Sequence, residues 1–265
     1  MIMISNEVEI RLGFFFCLLM ILALLELYVP RRSLNYDKKT RWIRNLSLVV
    51  INNFSTRIII AFTATSVALY AEKQAIGLFN QVNISDYAKI IISLILLDLA
   101  IYIQHLLFHH IPIFWKLHKI HHIDQDIDVS TAVRFHPIEI LLSTLIKCAI
   151  ILLLGVPVIA VIIFEIILNA GAMFSHANIK MPLIIDKYLR LFIVTPDMHR
   201  VHHSTIIKET NSNFGFNLSI WDRIFNTYTD QPSKGHKEME IGLIEYQNVN
   251  KTTLVDLIVI PFKKV

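Results

Sequence analysis

Eleven of the twelve histidines of this chain fall between His105 and His203, and most stand three or four residues from another. The groupings are His105-Leu-Leu-Phe-His109, His118-Lys-Ile-His121-His122 and His199-Arg-Val-His202-His203, with His136 and His176 as singles. On an α-helix, positions i, i+3 and i+4 share a face, so each group turns its imidazoles toward one point. Neutral imidazole is the commonest side-chain metal ligand and suits iron, zinc, copper or nickel better than magnesium or calcium. His105, His109, His118, His121, His122, His136, His176, His199, His202 and His203 are too many for one ion. Two ions with about five nitrogens each would leave a position open on each for a small molecule, as reactive sites do and closed structural sites do not. His110 and His236 read as ordinary hydrogen-bonded histidines.

Metal-bound imidazoles usually donate their second nitrogen to a carboxylate or a carbonyl. Asp98, Glu139, Glu165 and Asp197 are the carboxylates placed to accept. Asp98, Tyr102, His105 and His109 follow one another at helical spacing and form one stripe, and Glu165 and Asn169 lie on the helical face that leads to His176. Trp115, Trp221 and Tyr228 read as anchors at a membrane interface.

The elements that carry these residues are apolar. The chain has 265 residues, of which 54% are hydrophobic and 17% charged, with only 7 Gly and 8 Pro, and its mean hydropathy is +0.55. This composition excludes disordered and collagen-like chains and leaves too little polar surface for a soluble domain. An integral membrane protein is the class that fits. Cys17 and Cys148 both lie in apolar stretches, so neither a disulfide framework nor a thiolate metal site is expected. The net charge of +4 comes from basic residues beside apolar runs, a matter of membrane topology with no nucleic-acid partner implied.

The first run, Leu12–Val29, is long enough to cross a bilayer core of ~30 Å. Its leader, Met1–Arg11, carries Glu7 and Glu9 against one arginine, and no cleaved signal peptide is expected. The segment Tyr28–Arg44 holds Arg31, Arg32, Lys38, Lys39, Arg41 and Arg44 against Asp37 alone, which places it in the cytoplasm. The run Leu46–Tyr70 returns across the membrane with Arg57 in it. Ile90–Leu107 comes back and delivers His105 and His109 to the inner side. Ile138–Ser175 is broken by Gly155-Val156-Pro157, which predicts a hairpin of two spans and brings His136 and His176 to the same side. Leu183–Val194 is apolar enough to lie in the interface. The expected architecture is therefore all-α, with about four to five transmembrane helices and a cytoplasmic, histidine-lined helical cap.

The ordered motifs Asp98…Tyr102…His105…His109, Phe114-Trp115-Lys-Leu-His118-Lys-Ile-His121-His122 and Thr131…His136-Pro-Ile-Glu139 are followed by Thr195-Pro-Asp-Met-His199-Arg-Val-His202-His203. Asn213-Phe-Gly215 and Trp221-Asp-Arg-Ile-Phe225 come next. Together they resemble the fatty acid hydroxylase / sterol desaturase superfamily over about residues 90–230. One departure is Leu106, where the family often has arginine. The resemblance implies a catalytic unit at 90–230 between N-terminal membrane helices at 1–89 and a cytoplasmic tail at 231–265. It also implies a non-haem centre of two Fe ions held by histidines, with Zn as a substitute, that uses O2 to hydroxylate or desaturate a C–H bond of a sterol, fatty acyl or related lipid.

Electrons would come from an external cytochrome, ferredoxin or reductase, because no G-x-G-x-x-G, C-x-x-C-H or carrier domain occurs in the chain. Two other classes use similar ligands. A zinc-dependent membrane hydrolase would want fewer histidines and a poised carboxylate, and H-E-x-x-H is missing. A metal-binding or transport protein would place its ligands near mid-membrane. The sequence does not separate a bacterial inner membrane from an endoplasmic one.

Overall fold

The structure is a computed structural model that describes residues 6–247 and 252–263; the first residues of the leader lie outside that range. The described residues form helices and short helical turns joined by loops, with three isolated β-bridges and no β-strand. The helices of seven or more residues are α1 (Glu7–Tyr28), α2 (Lys38–Ile59), α3 (Ala64–Lys73), α4 (Asp86–His110), α5 (Pro112–His122), α6 (Pro137–Leu154), α7 (Val158–His176), α8 (Leu183–Leu189) and α9 (Pro196–His202). Five stretches are long and apolar enough to cross a membrane: α1, the segment Lys38–Gln81, α4, α6 and α7. The chain is thus an all-helical protein with five candidate membrane spans.

Local chemistry sets the ends of these helices. Ser85 caps α4 by accepting from Ala88 N, and Pro137 starts α6 at the first helical position, where its missing N–H costs nothing. The predicted hairpin is present: α6 ends at Gly155 with φ +66° and α7 starts after Pro157. The run expected as a single span over Leu46–Tyr70 is instead two helices. It stops at Ile60 and restarts behind a Thr63–Ser66 capping box. The first half, α2, turns Arg41, Asn45 and Asn52 into the protein, so its inner face is polar, whereas Arg57 is exposed.

Direction of travel places the histidines at one end. α1, α4 and α7 run toward it and α6 runs away from it. Pro30, just past α1, bridges to Ile179, just past α7. The opposite end is closed by a backbone contact between two glycines. A Cβ on Gly77 would stand 2.1 Å from Gly155 N, and Gly77 itself has φ +94°. Gly77→Ala combines a left-handed backbone with a backbone clash, so a loss of about 1–3 kcal/mol is expected. Thermal unfolding in detergent would show it, and a midpoint within error of the parent would mean that the contact is not made.

The interior is layered along the bundle. Near the glycine contact, Leu97, Ile101, Ile151 and Phe164 pack with Ala64 and Ala68 of α3. Closer to the histidines, Leu22 of α1 meets Met173 and Ala177 around the 3-10 turn Val129–Val133. Residues 254–260 are not free of the body: Leu257 and Ile260 pack on Leu48 of α2 and Ile120 of α5.

Candidate metal centre

The C-terminal ends of α4 and α7 meet α5 and α9 at one place, and nine histidines converge there in two adjoining groups. His105, His109, His118, His122 and His202 form one, and His121, His176, His199 and His203 the other. Within each group the ligand nitrogens all lie within 4.8 Å of one another. Atoms on opposite sides of an ion at ~2.1 Å per bond are ~4.2 Å apart, so each group is close to the size of one coordination sphere. The groups touch: the rings of His122 and His203 stack at 4.5 Å, and those of His118 and His121 are 5.4 Å apart. All nine are buried.

Hydrogen bonds on the outer side of the rings set which nitrogen faces inward. Nδ1 of His105 donates to Phe214 O at 2.9 Å, Nδ1 of His202 to Ser212 O at 2.7 Å and Nδ1 of His176 to Ala172 O at 2.7 Å. A carbonyl can only accept, so in these three rings the proton sits on Nδ1 and Nε2 keeps its lone pair. His118 Nδ1 donates to Glu139 Oε1 at 2.6 Å, and His109 Nδ1 faces Asn211 Oδ1 at 3.3 Å. The Nε2 atoms of His109, His118, His122 and His202 are buried and unpartnered. In the second group Nε2 of His176 faces Nε2 of His121 at 2.9 Å and of His199 at 3.1 Å. Buried polar atoms of this kind require a partner. Converging lone pairs on neutral rings repel one another and would be stabilised by a cation, so the residues fit a pair of transition-metal ions.

Burial drives the His202 imidazole down to about 3. Burial, reinforced by neighbouring rings, pushes His121, His122, His199 and His203 well below the usual value. All five therefore stay neutral, the form that binds metal. Unfolded histidine takes up a proton below about pH 6.5 and these folded rings do not, so stability is present above that pH and falls as pH drops through it. Metal-free protein is expected to lose thermal midpoint steadily between about pH 7 and about pH 4.5. A flat profile over that range would mean the rings are not buried together.

Of the ten histidines singled out from sequence, His136 is the one that stands apart. It is the N-cap of α6: its Nδ1 accepts from Ile138 N at 3.1 Å, and its Nε2 faces Ile258 O at 3.2 Å. His110 is exposed and bonded to Leu106 O, and His236 faces Gln231 Oε1. Among the expected orienting groups, Glu139 touches a histidine of the cluster and the others do not. Asp98 accepts from Asn217 Nδ2 at 2.8 Å, Leu218 N at 3.1 Å and Trp221 Nε1 at 2.9 Å, which also makes Trp221 a hydrogen-bond donor to the protein. Glu165 pairs with Lys147 and Arg11, and Asn169 bonds back to Glu165 O. Asp197 is held by Arg31 and Arg200 in the first turn of α9. Tyr102 shares a hydrogen bond with Thr227.

Most of the orienting work falls to loop 211–214, whose Asn211 side chain and Ser212 and Phe214 carbonyls serve three rings of the first group. Asn213, at φ +53°, ties the loop down by donating to Met198 O and Thr229 O. Asp222 accepts from Phe214 N and Gly215 N at 2.8 Å each. Backbone carbonyls leave no trace in residue type; the Asn213-Phe-Gly215 motif was the available signal for this loop.

Residues 90–227 match the family described as fatty acid hydroxylase. The ornithine lipid hydroxylase OlsE of Rhizobium tropici is 28% identical over 153 residues, which is 58% of this chain and 45% of that protein. The alkylglycerol monooxygenases of Homo sapiens and Danio rerio are each 30% identical over 138 residues, 52% of this chain and 30% of theirs. The chain therefore spans less than half the length of these curated relatives. No solved structure matches it.

Proposed function

The chain belongs to the fatty acid hydroxylase family, whose match covers just over half of its 265 residues, and from that premise we propose that it is a membrane-bound lipid hydroxylase with two iron ions in the paired histidine groups. The observation that carries this reading is the pairing itself: five and four buried imidazoles in adjoining clusters, with the outer nitrogens of His105, His109, His118, His176 and His202 fixed by Glu139, Asn211 and backbone carbonyls. Iron held there would supply the reaction of O2 with an unactivated C–H bond. The protein's own residues orient the ligands and keep the chamber dry. They also place an aromatic stack beside it. Half-exposed Phe225 stacks on Tyr102 at 5.3 Å, Tyr102 meets Phe214 at 6.5 Å, and Phe214 lies 5.7 Å from His105 and 5.1 Å from His109. Tyr102 and Phe214 are buried, so the stack forms an aromatic wall beside the first group, with Phe225 as its exposed end.

The substrate we propose is a membrane lipid; the named relatives act on an ornithine lipid and on alkylglycerols. The basic segment after α1 lies at the histidine end, where Arg31 pairs with Asp197, and by the positive-inside rule this favours a centre on the cytoplasmic face. A soluble or membrane-bound electron donor, a cytochrome, ferredoxin or reductase, would reach it there. Metal analysis of protein purified from membranes, with oxygen uptake under a reducing system, tests the proposal. About two irons per chain and lipid-dependent uptake are expected, whereas zinc without uptake would replace the reading with a hydrolase. Mass spectrometry of lipids from cells with and without the gene should then reveal a lipid that gains one oxygen atom.

A further inference from the structure

Asp98 is the central residue of the 25-residue helix α4, seven residues or about 10 Å below His105 along the axis. A loop and the short helical turn after it, Ile220–Ile224, reach down to it: Asn217, Leu218 and Trp221 all donate to its carboxylate. The same segment presses on α7, where a Cβ on Gly171 would stand 1.9 Å from Asn217 Oδ1. Irregular backbone at membrane depth is tolerated only where its polar groups are satisfied by protein. Here Asp98 takes Leu218 N, Asp222 takes Phe214 N and Gly215 N, and Phe192 O takes Ser219 N.

The segment is joined to α8 by the Ile193–Leu218 bridge and by Arg223 Nη2 donating to Arg190 O at 2.9 Å. α8 has its polarity inverted for a helix facing water. Leu183 is 72% and Phe192, just beyond its end, 69% exposed, while the charged Asp186 and Arg190 are each 4% exposed and pair with one another inside. Lys187 is the one exposed charge on α8, and its stem is long enough to reach headgroups. Ile220 and Ile224 of the turn that holds Trp221 are exposed as well, and so are Ile95 and Ile103 on α4, the helix that carries Asp98. Exposed apolar side chains on a segment hydrogen-bonded to the middle of a spanning helix mark a membrane contact.

We propose that the chain dips back into the membrane on either side of α9, and that the exposed faces of α8 and of the Ile220–Ile224 turn sit among the upper acyl chains of the leaflet on the histidine side. Asp98 is then the anchor of this collar and not an orienting group for the metal centre. The proposal rests on α4 crossing the membrane and is independent of the chemistry at the histidines.

The test is depth-dependent quenching on the full chain in phosphatidylcholine nanodiscs. With Cys17 and Cys148 replaced by alanine, a fluorophore is attached at Phe192→Cys or Ile224→Cys, with Ile95→Cys as the lipid-facing control and Lys234→Cys as the aqueous one. Both collar labels are expected to lose most of their fluorescence to a nitroxide on the upper acyl chain, as Ile95→Cys does, and to resist iodide. Iodide quenching like that of Lys234→Cys overturns the proposal, as does stronger quenching from a headgroup nitroxide. Shielding from both quenchers overturns it in favour of a protein contact on this face.

Discussion

His202→Ala and His121→Ala are expected to abolish lipid oxidation, and each to lower bound iron from about two to about one per chain or less, because each removes an inward-facing imidazole from a different group. His202 is held by the Ser212 carbonyl, and His121 faces His176 across 2.9 Å. Either change leaves its group one nitrogen short in a chamber with no water-exposed substitute. Glu139→Gln should be milder. It keeps an acceptor for His118 Nδ1 but loses the charge, and changes to groups behind the ligands typically cost 10–100-fold in metal affinity or activity. Two controls separate metal binding from mere histidine loss. His236→Ala should leave iron and turnover unchanged. His136→Ala should cost about 1 kcal/mol of stability through the lost cap of α6 while keeping the iron. Iron loss in His136→Ala comparable to that in His202→Ala would contradict the grouping described above. The assay is iron stoichiometry beside turnover on each purified variant.

The parts legible in the sequence were those whose signal is local and repeated. Three clusters at i, i+3 and i+4 spacing can converge only if their helices end together, and Gly155-Val156-Pro157 stops a helix wherever it occurs, so the convergence and the hairpin were both readable. His136 lies outside the two groups and caps α6; a histidine before a proline can serve as a cap or as a ligand, and the two look alike in sequence. Asp98, Glu165 and Asp197 lie close to histidines along the chain, but their partners come from 11, 31, 147, 200 and 217–221. Proximity in sequence said nothing about which way each carboxylate turned. The break in the second apolar run was encoded in Thr63 and Ser66, a capping pair hidden inside an otherwise continuous apolar pattern. Least legible was the pairing of α2 with the loop after His122, since a buried arginine and an exposed one are the same letter.

That pairing carries the second large expected effect. Arg41 is fully buried and donates to Asp124 from Nε and Nη2, to Asp128 from Nη1, to Asp126 O and to Thr131 Oγ1. Arg134 adds a bond from Nε to Ile120 O. Burial alone would raise the Asp124 carboxyl, but Arg41 and then Arg134 bring it below its usual range. Arg41→Ala leaves buried Asp128 without its arginine and Asp124 with only the longer contact to Arg134 at 3.5 Å, and breaking a buried pair from one side costs about 3–5 kcal/mol. Arg41→Lys should recover only part of that, because a single ammonium cannot make the forked contact with Asp124 and still reach Asp128. Adding Asp124→Asn and Asp128→Asn to Arg41→Ala removes the stranded charges and should be less destabilising than Arg41→Ala alone. Asp124 is two residues past His122, and Asp128 caps the turn that packs against the end of α7, next to His176. Loss of Arg41 should therefore also speed the release of iron to a chelator at temperatures where the bundle is still folded. Comparing thermal midpoints with release rates separates the two effects: a lower midpoint with unchanged release would confine Arg41 to stability, and faster release below the midpoint would tie it to the histidine groups as well.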